Sequence, residues 1–146
     1  MYFPELSENI NKKISLVLFN MRNTNIPKYN LYKTLDERAL LNLSFRLGDD
    51  LHCQWTDDEE NLILPILVSN NIKPVGTIAN RRKDYFNNII IPSNCDSLII
   101  KNRWKIWVLV IYLKNSFLYN ELEELVNETN SFSKRGSMLG YGEATY

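Results

Sequence analysis

The sequence has 146 residues, of which 17 are Lys or Arg, 17 are Asp or Glu and one is His, so its formal net charge is zero. Hydrophobic residues make up 45% and aromatic residues 12%, while Gly and Pro contribute only five residues each. This composition predicts one globular domain over residues 1–146 and excludes collagen, coiled coil, bulk disorder and a generically basic coat for nucleic acid.

The first predicted element is a helix over residues 8–22. Its apolar residues recur at spacings of three and four, and Ser7 is placed to cap its N-terminus. Pro27 and the asparagines before it then favour a loop. Ahead of the helix there is no basic leader followed by an apolar run, so we expect no signal peptide.

The segment from Thr34 to Trp55 is ambiguous between helix and strand. The sequence from Thr34 to Glu37 has the Thr-x-x-Glu form of a capping box, which would start a helix. Downstream, apolar residues alternate with polar ones on both sides of a Gly-Asp-Asp turn, which is a strand period. The alternation is the better supported pattern, so we predict a β-hairpin over residues 40–55.

A second capping box runs from Thr56 to Glu59, and its acidic residues complement the positive end of a helix dipole. We predict a helix over residues 57–70, kinked at Pro65, because a buried central strand tolerates proline even less well than a helix does. A loop is then expected at residues 73–76.

A strand is predicted from Tyr85 to Ile91, ending at Pro92. The clearest pattern is a hairpin in which residues 98–101 lead into a strand at 104–113. This strand is apolar on both faces from residue 106 onward, which is typical of a strand in the middle of a sheet.

A last helix is predicted over residues 117–129, with Ser116 as its cap and Leu118, Leu122, Leu125 and Val126 as its buried stripe. Residues 131–146 show no period, which predicts a tail that is either mobile or docked through its aromatic side chains. The expected fold is α+β: an antiparallel-rich sheet around strand 104–113 with about three packed helices.

No catalytic motif is apparent. A metal site could be imagined among eight residues, but their spacing matches neither a zinc site nor a calcium loop, so we expect no metal and no cofactor. These residues are Asp49, Asp50, His52, Cys53, Asp57, Asp58, Glu59 and Glu60. In the predicted hairpin His52, the only histidine, faces away from Cys53, and Cys95 lies 42 residues further along the sequence, so we interpret both cysteines as free and inert. Phosphate-binding loops and the Glu-x-Lys element of many nucleases are absent from the sequence.

The charged residues are unevenly distributed. Residues 1–72 carry 7 basic and 10 acidic side chains, whereas residues 73–146 carry 10 and 7. We call the six acids at positions 49–60 the acidic set: Asp49, Asp50, Asp57, Asp58, Glu59 and Glu60. The basic set, interleaved with aromatic residues, comprises Arg81, Arg82, Lys83, Lys101, Arg103 and Lys105.

These features favour a non-enzymatic protein-binding module. Its most concrete form is an immunity or inhibitor protein, an antitoxin in the broad sense, that uses the acidic set to neutralise a cognate nuclease toxin in the cytoplasm. The abundance of Asn, Ile, Lys and Tyr is typical of an A/T-rich bacterial or phage accessory gene. Alternatively, the basic set and its aromatic neighbours bind nucleic acid. We expect no membrane partner, because the longest apolar run, residues 106–113, is far short of the roughly 20 residues that span a bilayer.

Overall fold

Helix α1 spans Glu8–Asn23 in the computed structural model, which describes residues 1–23, 37–47 and 55–140. The predicted helix over 8–22 is therefore confirmed, and Ser7 caps it because its Oγ accepts a 3.3 Å hydrogen bond from the Ile10 backbone N–H. The buried Asn11 side chain accepts from the Phe3 N–H and donates to the Phe3 carbonyl, both at 2.8 Å. Asn11 thus fixes the N-terminal segment against the start of α1.

Helix α2 spans Glu37–Leu47, so the predicted hairpin is wrong over residues 40–47. Residues 40, 41 and 43 are leucines that are buried together against α1, which a helix allows and an alternating strand does not. The segment from Thr34 to Asp36 and residues 48–54 lie outside the described residues.

Helix α3 spans Asp57–Ser69, which confirms the predicted helix with Pro65 inside it. The helix is buried on two sides. Its residues Ile63 and Leu67 belong to the core formed with α1 and α2, whereas Leu64 and Val68 belong to the core beneath the sheet. Helix α3 is therefore the wall between two hydrophobic cores.

Three antiparallel strands form the sheet: β1 at Val75–Asn80, β2 at Cys95–Lys101 and β3 at Trp107–Leu113. The strand order is β1-β3-β2, so the prediction of a two-sided central strand is confirmed, although it begins at residue 107 and not at 104. The β2–β3 hairpin is confirmed by a register that pairs Lys101 with Trp107 and Cys95 with Leu113.

Two predictions between α3 and β2 differ from the structure. The loop expected at residues 73–76 covers only residues 73–74, because strand β1 already begins at Val75. The predicted strand over 85–91 is a 3₁₀ helix at Lys83–Asn88 followed by irregular chain. A Cβ at Gly76 would lie 3.2 Å from Val68 Cγ2. This glycine therefore belongs to a strand that α3 approaches closely, which is a recognised use of glycine in strands.

Two further helices cover the other face of the sheet: α4 at Tyr119–Asn127 and α5 at Phe132–Leu139. The last predicted helix is confirmed as α4, and it packs on the sheet through Leu122, Leu125 and Val126. Two of its predicted details are wrong. Leu118 is 73% exposed, and the Ser116 hydroxyl donates to the Leu113 carbonyl and does not cap the helix.

Helix α5 forms within the segment for which the sequence predicts no periodic structure. Ser131 caps it by accepting a 3.1 Å hydrogen bond from the Lys134 N–H, and Gly140 ends it with a φ of 85°. A Cβ at Gly140 would lie 2.6 Å from Asn42 Nδ2, so helix α5 ends in close contact with α2. Residues 141–146 lie outside the described residues.

Candidate functional site

Four members of the acidic set form the first turn of α3, where the positive end of the helix dipole stabilises negative charge. Asp49 and Asp50 lie outside the described residues. Asp57 and Asp58 are exposed, and neither forms an ion pair with any residue the structure describes. The first turn of α3 therefore presents two free carboxylates to solvent.

Glu59 and Glu60 are engaged in the fold. The Glu59 carboxylate accepts from the Thr56 N–H at 3.0 Å and from Lys13 Nζ at 2.6 Å. Burial acts to raise the pKa of Glu59, but hydrogen bonds from Lys13 and Thr56 outweigh it and lower that pKa below its ordinary value. Burial raises the pKa of Glu60, with a smaller contribution from the charge of Asp57. Of the four members of the acidic set that the structure describes, Glu59 is held by hydrogen bonds, Glu60 is partly buried, and Asp57 and Asp58 are exposed.

An open groove of about 850 Å³ lies between α3 and residues 80–92. Asp58, Leu62 and Ile66 line one wall at a spacing of four, so they share one face of the helix. Ile90 and Pro92 line the opposite wall, together with Arg82 and Asp84. One residue of the acidic set and one of the basic set therefore face the same groove.

Hydrogen bonds hold the two walls of the groove in place. Asn61 Nδ2 in α3 donates to the hydroxyl oxygen of Tyr85 in the 3₁₀ helix at 2.8 Å. Arg82 donates to the Asp84 carboxylate from Nε at 3.3 Å and from Nη2 at 2.9 Å. The groove is thus preformed by contacts within the chain, which lowers the entropic cost of binding a ligand there.

The basic set lies around one end of the sheet. Arg81 and Arg82 follow β1, Lys101 ends β2, and β3 begins at Trp107, which pairs with both Asn80 and Lys101. The remaining three members are Lys83 in the 3₁₀ helix and Arg103 and Lys105 in the β2–β3 turn. The register therefore brings together cations that are widely separated in the sequence.

At this end of the sheet, cationic side chains of the protein lie over the rings of two tryptophans. Lys83 Nζ and Lys101 Nζ lie 4.9 Å and 5.2 Å from the Trp107 ring centroid, and Arg103 lies 4.3 Å from that of Trp104. A nucleobase stacking on Trp107 would have to compete with both lysines. The surface offers positive charge more readily than it offers free ring faces.

Within the described ranges, no group of three or more His, Cys, Asp or Glu side chains is placed to hold a metal ion. Cys95 is buried as a free thiol, and burial, aided by the nearby charge of Asp96, raises its pKa. His52 and Cys53 lie outside the described residues, so the interpretation of these two side chains stays a prediction.

Sequence reasoning missed the groove. Leu62, in the apolar run of α3, is 44% exposed and lines the groove. A signal was present in the spacing of residues 58, 62 and 66, which form a third face beside the two buried ones. Residues 80–92, in contrast, carry no period that would place them opposite this face.

No helix in the part of the chain that the structure covers combines the length and apolar character that a membrane span requires. Comparison of the sequence with models of protein families, and of the chain with curated proteins and with solved structures, gives no match.

Proposed function

We propose that the chain is a non-enzymatic protein-binding module, most concretely an immunity protein that neutralises a basic toxin, a nuclease, by direct binding in the cytoplasm. The observation that carries this proposal is the pair of exposed carboxylates, Asp57 and Asp58, beside the groove along α3. Neither residue provides the capping hydrogen bonds of the helix, which come from Thr56 and Glu59.

The free carboxylates Asp57 and Asp58 can attract a cationic partner. Exposed charges at the rim of an interface add little affinity in isolation, but they steer a partner of opposite charge and raise the association rate by about 10- to 1000-fold. A nuclease toxin presents cations for its nucleic-acid substrate. An acidic surface beside a preformed groove is suited to that partner.

The test is a charge reversal compared with a matched control. The double variant Asp57→Lys/Asp58→Lys should associate at least about tenfold more slowly with a basic toxin encoded by a neighbouring gene, and the effect should shrink at high salt. The control is Glu123→Lys/Glu124→Lys, which reverses two adjacent exposed acids on α4.

Stopped-flow association would provide the measurement, and circular dichroism would verify that both variants fold. Equal association rates for wild type and both variants would place the contact elsewhere. If both variants associated equally slowly, the slower association would be due to the change in net charge, which would contradict a specific acidic site.

The second candidate function is nucleic-acid binding by the basic set. It is favoured by one specific observation, namely that the sheet register brings cations from separate elements to one end of the sheet, where they suit the phosphates of a nucleic acid and not its bases. Replacing all six basic residues by Gln should then abolish binding of single-stranded RNA and DNA, while Asp57→Asn/Asp58→Asn should strengthen it by removing repulsion. Tight binding by wild type at physiological salt, lost only in the first variant, would overturn the inhibitor proposal.

A further inference from the structure

The walls of the groove along α3 carry highly exposed apolar side chains. Ile90 is 81% exposed and Leu62 is 44% exposed, although both are large hydrophobic residues. An enclosed small-molecule cavity would bury the side chains that line it, whereas a shallow groove of this kind leaves them open to a partner surface. The apolar walls therefore fit apolar side chains presented by another chain.

The charges around the groove favour a cationic partner. Its charged lining residues are Glu5, Asp58, Asp84 and Arg82. Because Arg82 is hydrogen-bonded to Asp84 through two nitrogens, these two charges largely cancel. Glu5 and Asp58 remain, which gives the groove a net negative charge.

The two remaining carboxylates lie toward opposite ends of α3. Asp58 is in the first turn, and Glu5 accepts a 3.3 Å hydrogen bond from Asn70, the residue that follows the helix. A helical rise of 1.5 Å per residue separates positions 58 and 70 by about 18 Å. In an extended peptide, two lysines four positions apart have Cα atoms about 13 Å apart, and their side chains can cover the difference.

We propose that the groove binds an extended segment of a protein partner in which about three apolar residues lie between two basic ones. This inference rests on the proposed function, because it names the part of the basic partner that the α3 surface recognises. Because side chains alternate along an extended segment, the central apolar side chain would face the groove together with the two flanking cations. It would pack among Leu62, Ile66 and Ile90, and the cations would contact Asp58 and Glu5.

The direct test uses a blocked pentapeptide of sequence Lys-Leu-Val-Leu-Lys as the probe, with Glu-Leu-Val-Leu-Glu as its charge-reversed counterpart. In NMR titrations of isotope-labelled full-length protein, the basic peptide should shift the side-chain amide signals of Asn61 and Asn88, both of which line the groove. The acidic peptide should leave these signals unchanged. Absence of shifts with the basic peptide, or equal shifts with both peptides, would overturn the inference.

A matched pair of variants then tests the site. Leu62→Lys places an ammonium on the apolar wall formed by α3 and should weaken peptide binding by at least about tenfold. Leu16→Lys changes a leucine on α1 that is 55% exposed and does not line the groove, and this variant should bind as wild type does. Equal effects in the two variants would contradict the site.

The inference and the proposed function fail in different ways. If the toxin binds wild type and Leu62→Lys equally well, the groove is not its site, although the inhibitor proposal stands. If the basic peptide binds in the groove but the neighbouring gene's product does not bind the chain, the groove assignment stands and the inhibitor proposal fails. Binding of the toxin that is weakened by Leu62→Lys and spared by Leu16→Lys supports both.

Discussion

Lys73 Nζ donates a 2.5 Å hydrogen bond to the carbonyl oxygen of Leu139, the last residue of α5. Close by, Asn42 Nδ2 donates to the carbonyl oxygens of Ile72 at 3.1 Å and Gly140 at 3.2 Å. The C-terminal end of α5 is therefore fixed both to the segment between α3 and β1 and to α2. Carbonyls at a helix C-terminus carry partial negative charge, which suits a lysine donor.

The first prediction concerns the pH dependence of stability. Lys73 is 3% exposed, and burial lowers its pKa from the ordinary 10.5 to about 7. Between these values the folded state binds fewer protons than the unfolded state, so this group makes the free energy of unfolding rise with pH. The slope approaches about 1.4 kcal/mol per pH unit between pH 7 and 10.5, and the contribution is lost again as pH falls to 7.

Urea denaturation of wild type and Lys73→Met at pH 7, 8 and 9 measures this effect. The difference between the two unfolding free energies isolates Lys73 from other groups that titrate in this range. The unfolding free energy of wild type minus that of Lys73→Met should increase as the pH rises from 7 to 9. A difference independent of pH would show that the folded and unfolded states hold the Lys73 proton equally well.

The second prediction concerns the central strand. Val108 is buried on β3 against α4, so Val108→Asp would place an unpaired carboxylate in the core and cost at least about 2–5 kcal/mol. Ile99→Asp is the control, because Ile99 is 39% exposed on the edge strand β2, and it should cost much less. A loss below about 1 kcal/mol for Val108→Asp in chemical denaturation would contradict a central role for β3.

The third prediction concerns the capping box of α3. Thr56 Oγ1 accepts from the Glu59 N–H at 3.2 Å, and Thr56→Ala removes this bond while leaving the Glu59 carboxylate in place. We expect a loss of about 1 kcal/mol in the free energy of unfolding. Thr129→Ala, at an exposed position that caps none of the described helices, should be nearly neutral. If the two variants lost similar amounts of unfolding free energy, the capping box would not contribute to stability.

The fourth prediction concerns Cys95. Its raised pKa and its burial keep it as an inaccessible thiol at neutral pH, so it should react with iodoacetamide far more slowly in the folded protein than in urea. A Cys53→Ala background isolates this thiol. Further replacement by Ala should leave partner binding intact if neither cysteine is catalytic. Fast labelling of the folded protein would argue for an activated thiol.

Local signals account for the elements that the sequence predicted correctly. Ser7 and Thr56 begin α1 and α3 through hydrogen bonds made within three residues of the chain, so the sequence contains the whole arrangement. The apolar run of β3 needs cover on both faces, which is enough to place it in the middle of a sheet.

The elements that were predicted wrongly depend on contacts between residues that are far apart in the sequence. The alternation around Asn42 suggested a strand, but α2 buries this residue so that its amide reaches carbonyls 30 and 98 positions away in the sequence. Gly76 is typical of a loop in the sequence, but it lies in β1, where α3 packs closely against it. The groove likewise forms between α3 and residues 80–92, and the sequence pattern of either segment alone does not predict that the two lie side by side.

The position of α3 between two hydrophobic cores has a thermodynamic consequence for detecting ligands. Because α3 packs into both cores, unfolding of the part formed by α1 and α2 should be coupled to unfolding of the sheet. A molecule that binds only the folded groove should therefore raise the melting temperature of the whole domain in a single transition, by an amount set by its concentration relative to Kd. A thermal-shift screen of the unlabelled protein can accordingly find ligands of the groove before any partner has been isolated.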